Sequence, residues 1–131
     1  MNNSINQKLQ FSSLWVFVLF NTLFRDIHEF LRPGVIENMN LGLSNGVQVS
    51  EYTLFIAAFV LQMPLLMFVL PFFLRLRNYC KLSIFVGITT FAGIWFESPH
   101  DMDDWAFAAF KSLTIAFILY GNIKLLIRRE D

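Results

Sequence analysis

"EYTLFIAAFVLQMPLLMFVLPFFL", residues 51–74, has no charged side chain after Glu51, and this stretch decides the fold class. A helix that crosses the hydrocarbon core of a bilayer needs about 20 mostly apolar residues at ~1.5 Å per residue. The stretch is therefore long enough to cross a membrane by itself. It also carries Gln62 and Pro64 near its centre, and because Pro64 removes a backbone donor, we expect a kink there.

Composition extends this interpretation to the whole chain. Its 131 residues are 56% hydrophobic and include 16 phenylalanines, which is more than a soluble domain of this length usually carries. Four apolar segments predict one all-α domain over residues 1–131, a bundle of four transmembrane helices. The predicted spans are approximately residues 9–31, 51–74, 81–97 and 103–127.

Two of these spans need a qualification. The first reaches spanning length only if its helix continues through Arg25 to Leu31, where Pro33 and Gly34 end it. The third, between Lys81 and Glu97, is short, so we expect flanking side chains to snorkel or the bilayer to thin around it.

The distribution of charge predicts the orientation. Ten basic and ten acidic residues cancel, which argues against nucleic acid as a partner. Most basic residues fall on one side of a four-span bundle, and by the positive-inside rule that side is cytoplasmic. Both termini are then cytoplasmic in a bacterial inner membrane, and a long outer loop, residues 33–50, joins the first two helices. The basic residues on that side are Lys8, Arg75, Arg77, Lys81, Lys124, Arg128 and Arg129.

A polar stripe at the end of the first helix is the main candidate site. Side chains three and four residues apart share a helix face, and a charged group at membrane depth is costly unless it finds a partner or water. Lys111 lies at a similar depth in the fourth helix, ~9 Å below Trp105. The predicted pocket residues are Asn21, Arg25, Asp26, His28, Glu29 and Lys111.

The pairing within this stripe is open between alternatives. We expect Lys111 to pair with Asp26 or Glu29, and Arg25 and Glu29 also form an i, i+4 pair within one helix. The same residues fit two interpretations, a pocket for a ligand or proton, or structural ion pairs that fasten the first helix to the fourth.

A second cluster lies in "ESPHDMDDW", residues 97–105. Its candidate residues are Glu97, His100, Asp101 and Asp104. Histidine and carboxylate ligands suit zinc or another divalent metal, but most of the acids also fit a helix start, with Ser98 as the cap and Asp101 completing a capping box. We predict no cofactor and no metal ligand set, and a divalent metal at this outer face is the less favoured alternative.

Scattered residues along the chain repeat a known pattern. They are Leu14, Trp15, Asp26, Glu29, Pro33, Gly34, Glu37, Pro64, Asn78 and Gly87, with an aromatic start to the fourth helix. With them the chain resembles a family of small bacterial four-helix membrane proteins of unknown function. That resemblance implies no activity, and the chain departs from the family pattern at Lys111, near which an acidic residue is usual. The layout is also similar to the DoxX group, by architecture only.

Three functions follow as hypotheses. The first is a binding or transport-type protein whose outer pocket takes a polar small molecule, a lipid headgroup or a proton. The second is a structural or interaction subunit of a larger membrane complex, and a homo-oligomer is also open. The third is a membrane-embedded enzyme using His28 with Glu29 or Asp26 as acid and base. It ranks last, and no catalytic residue is predicted because no nucleophile or cofactor motif accompanies these side chains.

Overall fold

Helices make up most of the chain in the computed structural model, which describes residues 3–44, 47–96, 99 and 101–128. The predicted all-α fold is confirmed at this level. The elements in chain order are α1 (Asn3–Phe30), α2 (Val35–Asn40), β1 (Leu43–Ser44), β2 (Val47–Gln48), α3 (Glu51–Val69), a 3₁₀ turn (Leu70–Phe72), α4 (Leu76–Phe96) and α5 (Met102–Ile127). The two short strands pair antiparallel.

Three of these helices are long and apolar enough to cross a membrane. They are α3 with its 3₁₀ turn, α4 and α5. At 28 residues α1 is also long, but polar and charged residues such as Lys8, Asn21 and Arg25 interrupt its apolar run. The chain thus has the helices of a membrane protein, and α1 as a fourth span stays a prediction.

Residues 51–69 of the quoted stretch form α3. Ser50 caps its start by accepting a hydrogen bond from the backbone N–H of Thr53 at 3.1 Å. The helix continues without interruption through Pro64, which is buried, while Gln62 is exposed. α3 ends at the 3₁₀ turn that contains Pro71, because this second proline also lacks the backbone N–H that a helical hydrogen bond needs.

The third predicted helix is longer than the sequence indicated. The predicted span begins at Lys81, but α4 begins at Leu76 and has 21 residues. The helix accommodates Arg77 and Lys81 because both are exposed, whereas Tyr79 and Cys80 on the other face are buried. The helix is therefore longer than the predicted third span, whose limits within a membrane stay a prediction.

The start of the last helix also differs from the prediction. Asp101 is the N-cap residue of α5, with extended backbone, rather than the third helical residue of a capping box, and its side chain makes no cap hydrogen bond. Its carboxylate accepts a hydrogen bond from Arg32 instead. Ser98, the predicted cap, lies outside the described residues. Asp103 and Asp104 do lie in the first turn of α5, where they complement the positive end of the helix dipole.

The core lies where α5 packs against α4 and α1, and α1 against α3. Trp15, Tyr79, Ile115 and Ile118 are fully buried there. The Phe11 ring of α1 lies so close to Gly121 of α5 that an added Cβ would be 2.6 Å from it. A larger residue at that position would force the Phe11 ring to shift.

A buried polar network joins three of the helices. The Trp15 indole donates to the Ser83 hydroxyl at 3.0 Å, and the Asn122 amide donates to that hydroxyl at 3.3 Å and to the Ile118 carbonyl at 2.7 Å. Buried polar groups are costly unless they are bonded, so this network favours one arrangement of α1, α4 and α5.

Lys8 ties the start of α1 to the end of α3. Its side chain is 8% exposed, and its ammonium donates to the Leu74 carbonyl at 2.8 Å and to the Pro71 carbonyl. Ser12 donates to the Phe68 carbonyl at 3.1 Å. Carbonyls at a helix end lack intrahelical donors, so α1 supplies them from its side chains. We call this region the Lys8 end of the bundle.

Candidate functional site: a polar cavity at the Arg25 end

The opposite end of α1 meets the start of α5 through a charged pair. The half-buried Arg25 donates from Nε to Oδ1 of Asp104 at 3.0 Å, and the Asp104 side chain is only 4% exposed. A guanidinium matches a carboxylate in both charge and geometry. The pair therefore fixes the last turns of α1 against the first turn of α5, and we call this region the Arg25 end.

Arg32 forms a second connection just beyond α1. Its guanidinium donates to Asp103 at 2.7 Å and to Asp101, and it lies 3.5 Å from Glu29. The hydrogen bond with Asp103, followed by the charges of Glu29 and Asp101, raises the pKa of Arg32 above its ordinary value. Arg32 thus stays cationic and holds the segment after α1 beside the N-terminus of α5.

A cavity of about 510 Å³ opens beside these pairs and is partly open to the outside. Its lining combines two carboxylates and a guanidinium with an amide, a hydroxyl and apolar side chains. The lining residues are Arg25, Asp26, Glu29 and Phe30 from α1, Val35, Asn38 and Met39 in α2, and Leu43 and Ser44 in β1.

Two glycines bring the second wall of this cavity back over α1. Gly34 and Gly42 have φ angles of 83° and 72°, a conformation that glycine adopts without the strain that a Cβ would cause. Gly34 turns the chain from α1 into α2, and Gly42 turns it into the strand pair, which Val49 closes with a hydrogen bond to the Gly42 carbonyl at 2.9 Å. α2 and β1 therefore form the wall of the cavity opposite α1.

The cavity brings together three of the predicted pocket residues. Arg25, Asp26 and Glu29 line it, and the predicted long loop covers it. Asn21, His28 and Lys111 do not line it. Asn21 donates to the backbone carbonyl of Phe17 on its own helix at 2.9 Å.

His28 faces α5 instead. Its Nδ1 lies 3.9 Å from Asp103, and its ring meets the Phe107 ring edge-on at 5.7 Å between centroids. Its side chain is more than half exposed. His28 therefore makes a surface contact between α1 and α5.

Lys111 is buried in α5, at 6% exposure. It lies two turns after Asp104 on the buried face that continues through Ile115, Ile118 and Asn122. Its pairing with Asp26 or Glu29 stays a prediction. Arg25 pairs with Asp104 on the other helix, and its predicted pair with Glu29 inside α1 stays a prediction.

The second predicted cluster lies only partly within the described residues. Glu97 and His100 fall outside them, while Asp101 and Asp104 contact two different arginines, Arg32 and Arg25. Among residues 3–44, 47–96, 99 and 101–128, no group of three or more histidine, cysteine or acidic side chains could hold a metal ion. The predicted kink residues, Gln62 and Pro64, lie far along α3 and do not line the cavity.

Sequence reasoning missed several residues that shape this end. Asn38, Met39 and Ser44 line the cavity, and the contact between Arg32 and Asp103, which joins the segment after α1 to α5, was also not predicted. The length of the loop over residues 33–50 was the available signal, because long loops in small domains often carry function. Nothing in residue spacing shows which of its side chains face inward.

The chain belongs to DUF6326, a family of unknown function, whose family model matches residues 2–125. No curated protein and no solved structure matches the chain. The resemblance to an uncharacterised family is therefore confirmed, while its membrane location and the DoxX-like layout stay expectations.

Proposed function

We propose that this member of DUF6326 is a four-span membrane protein whose cavity at the Arg25 end binds a polar small molecule or a lipid headgroup. The single observation that carries the proposal is the cavity itself. Acidic, basic and neutral polar side chains line it together, and the other lining residues are apolar. Ligand sites commonly have volumes of about 300–1,000 Å³ and a few polar groups among apolar ones.

The lining chemistry favours a ligand with both charges or with a cationic group. Asp26 and Glu29 offer carboxylate acceptors, and Arg25 offers a donor on the same wall. Phe30 adds a ring face that could attract a cation. Asn38 and Ser44 supply neutral polar contacts from the opposite wall, and Met39 and Leu43 supply an apolar surface. A zwitterionic headgroup matches this combination in size and charge.

The proposed topology follows from charge. If α1 crosses the membrane with α3, α4 and α5, both termini lie on one side, and most of the basic residues outside the Arg25 end share that side. The positive-inside rule makes that side cytoplasmic. The cavity then faces the outside of a bacterial inner membrane, at the level of the lipid headgroups.

Binding to defined probes tests the cavity. Thermal unfolding of the purified protein in detergent is followed with phosphoethanolamine and phosphocholine, which carry headgroup chemistry without acyl chains. We expect either probe to raise the unfolding temperature of the wild type saturably, and Asp26→Asn combined with Glu29→Gln to abolish that rise.

His28→Gln is the matched control, because it changes a polar side chain of the same helix end outside the cavity lining. It should respond to the probes as the wild type does. If no probe binds the wild type, or if the cavity variant binds as well as the control, the cavity is not a headgroup site. The hypothesis that the cavity binds or transfers a proton is tested separately, by measuring proton uptake into liposomes with a pH-sensitive dye.

A further inference from the structure

Gln62 is a polar side chain in the middle of α3, the most apolar of the three helices that could cross a membrane. It is exposed on α3, and among the residues that the structure describes its amide has no hydrogen-bond partner. It lies eleven residues after Glu51, or ~16 Å along the helix, and seven residues before Val69, or ~10 Å. Neither end is within reach of its side chain, so it cannot place its amide at a membrane surface.

The helix around Gln62 is also unpacked within the chain. Every residue from 51 to 62 is exposed, and α3 is the most apolar of the three helices that could cross a membrane, with 11% of its most apolar window buried. Pro64 and Met67, which pack into the bundle, lie on the face opposite Gln62. The Gln62 face therefore points away from α1, α4 and α5.

An amide in hydrocarbon is unfavourable without a partner, and lipid tails offer neither donor nor acceptor. We propose that a second copy of this chain supplies the partner, through a homodimer in which the two Gln62 amides bond reciprocally across α3. The inference rests on α3 spanning a membrane, which is part of the proposed function, and is independent of the cavity and its ligand.

Self-complementarity is the reason to choose a second copy. A carboxamide carries a donor and an acceptor, so two copies related by a twofold axis satisfy each other with the same surface. The Gln62 face has no charged side chain between Glu51 and its end at Val69. Ala58, one turn before Gln62, is small enough to let two helices approach closely. Glu51 lies on this face but at the end of the helix, ~16 Å away, where water screens the repulsion between copies.

Cysteine cross-linking in native membranes tests this arrangement with a pair of neighbouring alanines. Both Ala57 and Ala58 are exposed at nearly the same depth, but at 100° per residue Ala58 lies about 40° from Gln62 and Ala57 about 140° away. In a Cys80→Ala background, which removes the native thiol, oxidation should link Ala58→Cys into a band of twice the chain mass and leave Ala57→Cys monomeric.

A second substitution tests the amide itself. Gln62→Leu in the Ala58→Cys background should lower the dimerisation constant about tenfold, as expected for a pair of interhelical hydrogen bonds in lipid. Gln62→Asn, which keeps the amide, should retain the dimer, and Gln48→Leu, which removes an amide outside α3, should have no effect.

The outcomes separate the alternatives. A band at the mass of chain plus another protein means a different partner and overturns the proposal. Three other results also overturn it: equal cross-linking of Ala57→Cys and Ala58→Cys, no cross-linking at all, or no response to Gln62→Leu. If nothing cross-links, lipid covers this face. Carbonate extraction is performed on the same membranes. If the chain is extracted, the membrane proposal and this inference both fail, and if it is retained without cross-linking, this inference alone fails.

Discussion

The two ends of α1 use basic side chains in different ways. At the Lys8 end, a buried ammonium donates to backbone carbonyls at the end of α3, and its contacts are all internal. At the Arg25 end, a guanidinium pairs with Asp104 while also lining a cavity open to the outside. One helix thus carries a closed polar contact at its start and an accessible one at its end.

The difference separates charge that only bonds the backbone from charge that also lines a cavity. A basic side chain that only satisfies backbone carbonyls has no group left to offer a ligand, so the Lys8 end serves stability. The Arg25 end combines a fixing pair, Arg25 with Asp104, and a lining that includes carboxylates, an amide and a hydroxyl. Substitutions at the first end should therefore change stability, and substitutions in the cavity should change binding.

Lys8→Met should have the largest effect on stability. It keeps the apolar stem but removes the ammonium, which leaves the Pro71 and Leu74 carbonyls without the donor that they share. We expect the free energy of unfolding to fall by about 3 kcal/mol, because hydrogen bonds to charged groups are stronger than neutral ones and a buried acceptor without a donor is costly. Denaturant unfolding in detergent micelles measures it.

The control for this substitution is Lys124→Met, which alters an exposed lysine whose ammonium lies over the Tyr120 ring at 5.7 Å. It should change stability by less than about 0.5 kcal/mol. Equal losses for the two variants would mean that Lys8 contributes only charge and not the two carbonyl contacts.

Arg25→Met should come second. It leaves the Asp104 carboxylate, at 4% exposure, without its guanidinium partner, and we expect a loss of about 2 kcal/mol, below that of a fully buried pair because Arg25 is partly exposed. The double variant Arg25→Met with Asp104→Asn should recover part of the loss, since it also removes the buried charge that the guanidinium had balanced. A double-mutant cycle without coupling would show that the pair does not fasten α1 to α5.

Arg32→Gln should have a smaller effect than Arg25→Met, and one that depends on salt. Its partners Asp101 and Asp103 are partly exposed, so water and ions screen the attraction. The unfolding temperature should fall slightly at low ionic strength, and the difference from the wild type should vanish in about 1 M salt, where the Debye length is about 3 Å. If the unfolding temperature stays lower than that of the wild type in high salt, Arg32 stabilises the fold by a contact that salt does not screen, as we expect for Arg25.

Asn38→Ala should have the smallest effect on stability, within about 0.5 kcal/mol, because Asn38 is exposed on α2. It lines the cavity, however, and should weaken probe binding measurably by isothermal titration calorimetry. Glu37→Ala is the matched control, since Glu37 is its exposed neighbour outside the lining. Weaker binding in both variants would trace the effect to α2 as a whole.

Periodicity and length were sufficient for the four long helices, but not for their ends or for the short α2 inside the predicted loop. The uncharged run after Glu51 predicted α3, and the end of the first helix near Leu31 agrees with α1, which ends at Phe30. The start of α4 was missed, because charged residues at exposed positions, such as Arg77 and Lys81, continue a helix as well as apolar ones do. Sequence alone does not state which face is buried.

The site was predictable only in part, for a related reason. Helical spacing placed Arg25, Asp26 and Glu29 at one end of α1, and all three line the cavity. Spacing within a helix cannot identify a partner on another helix, so the contact of Arg25 with Asp104 was missed. The loop residues Asn38 and Ser44 reach the cavity because the chain turns at Gly34 and Gly42, which have positive φ. The direction that the chain takes after each turn does not follow from the composition.

The most direct test measures binding and stability on the same variants. Phosphoethanolamine is titrated calorimetrically into wild type, Lys8→Met, and Asp26→Asn combined with Glu29→Gln, at a temperature where all three are folded. The account predicts an unchanged Kd with lower stability for Lys8→Met, and lost binding with nearly unchanged stability for the cavity variant. Loss of binding in Lys8→Met alone, or loss of stability without loss of binding in the cavity variant, would contradict the assignment of function to the Arg25 end.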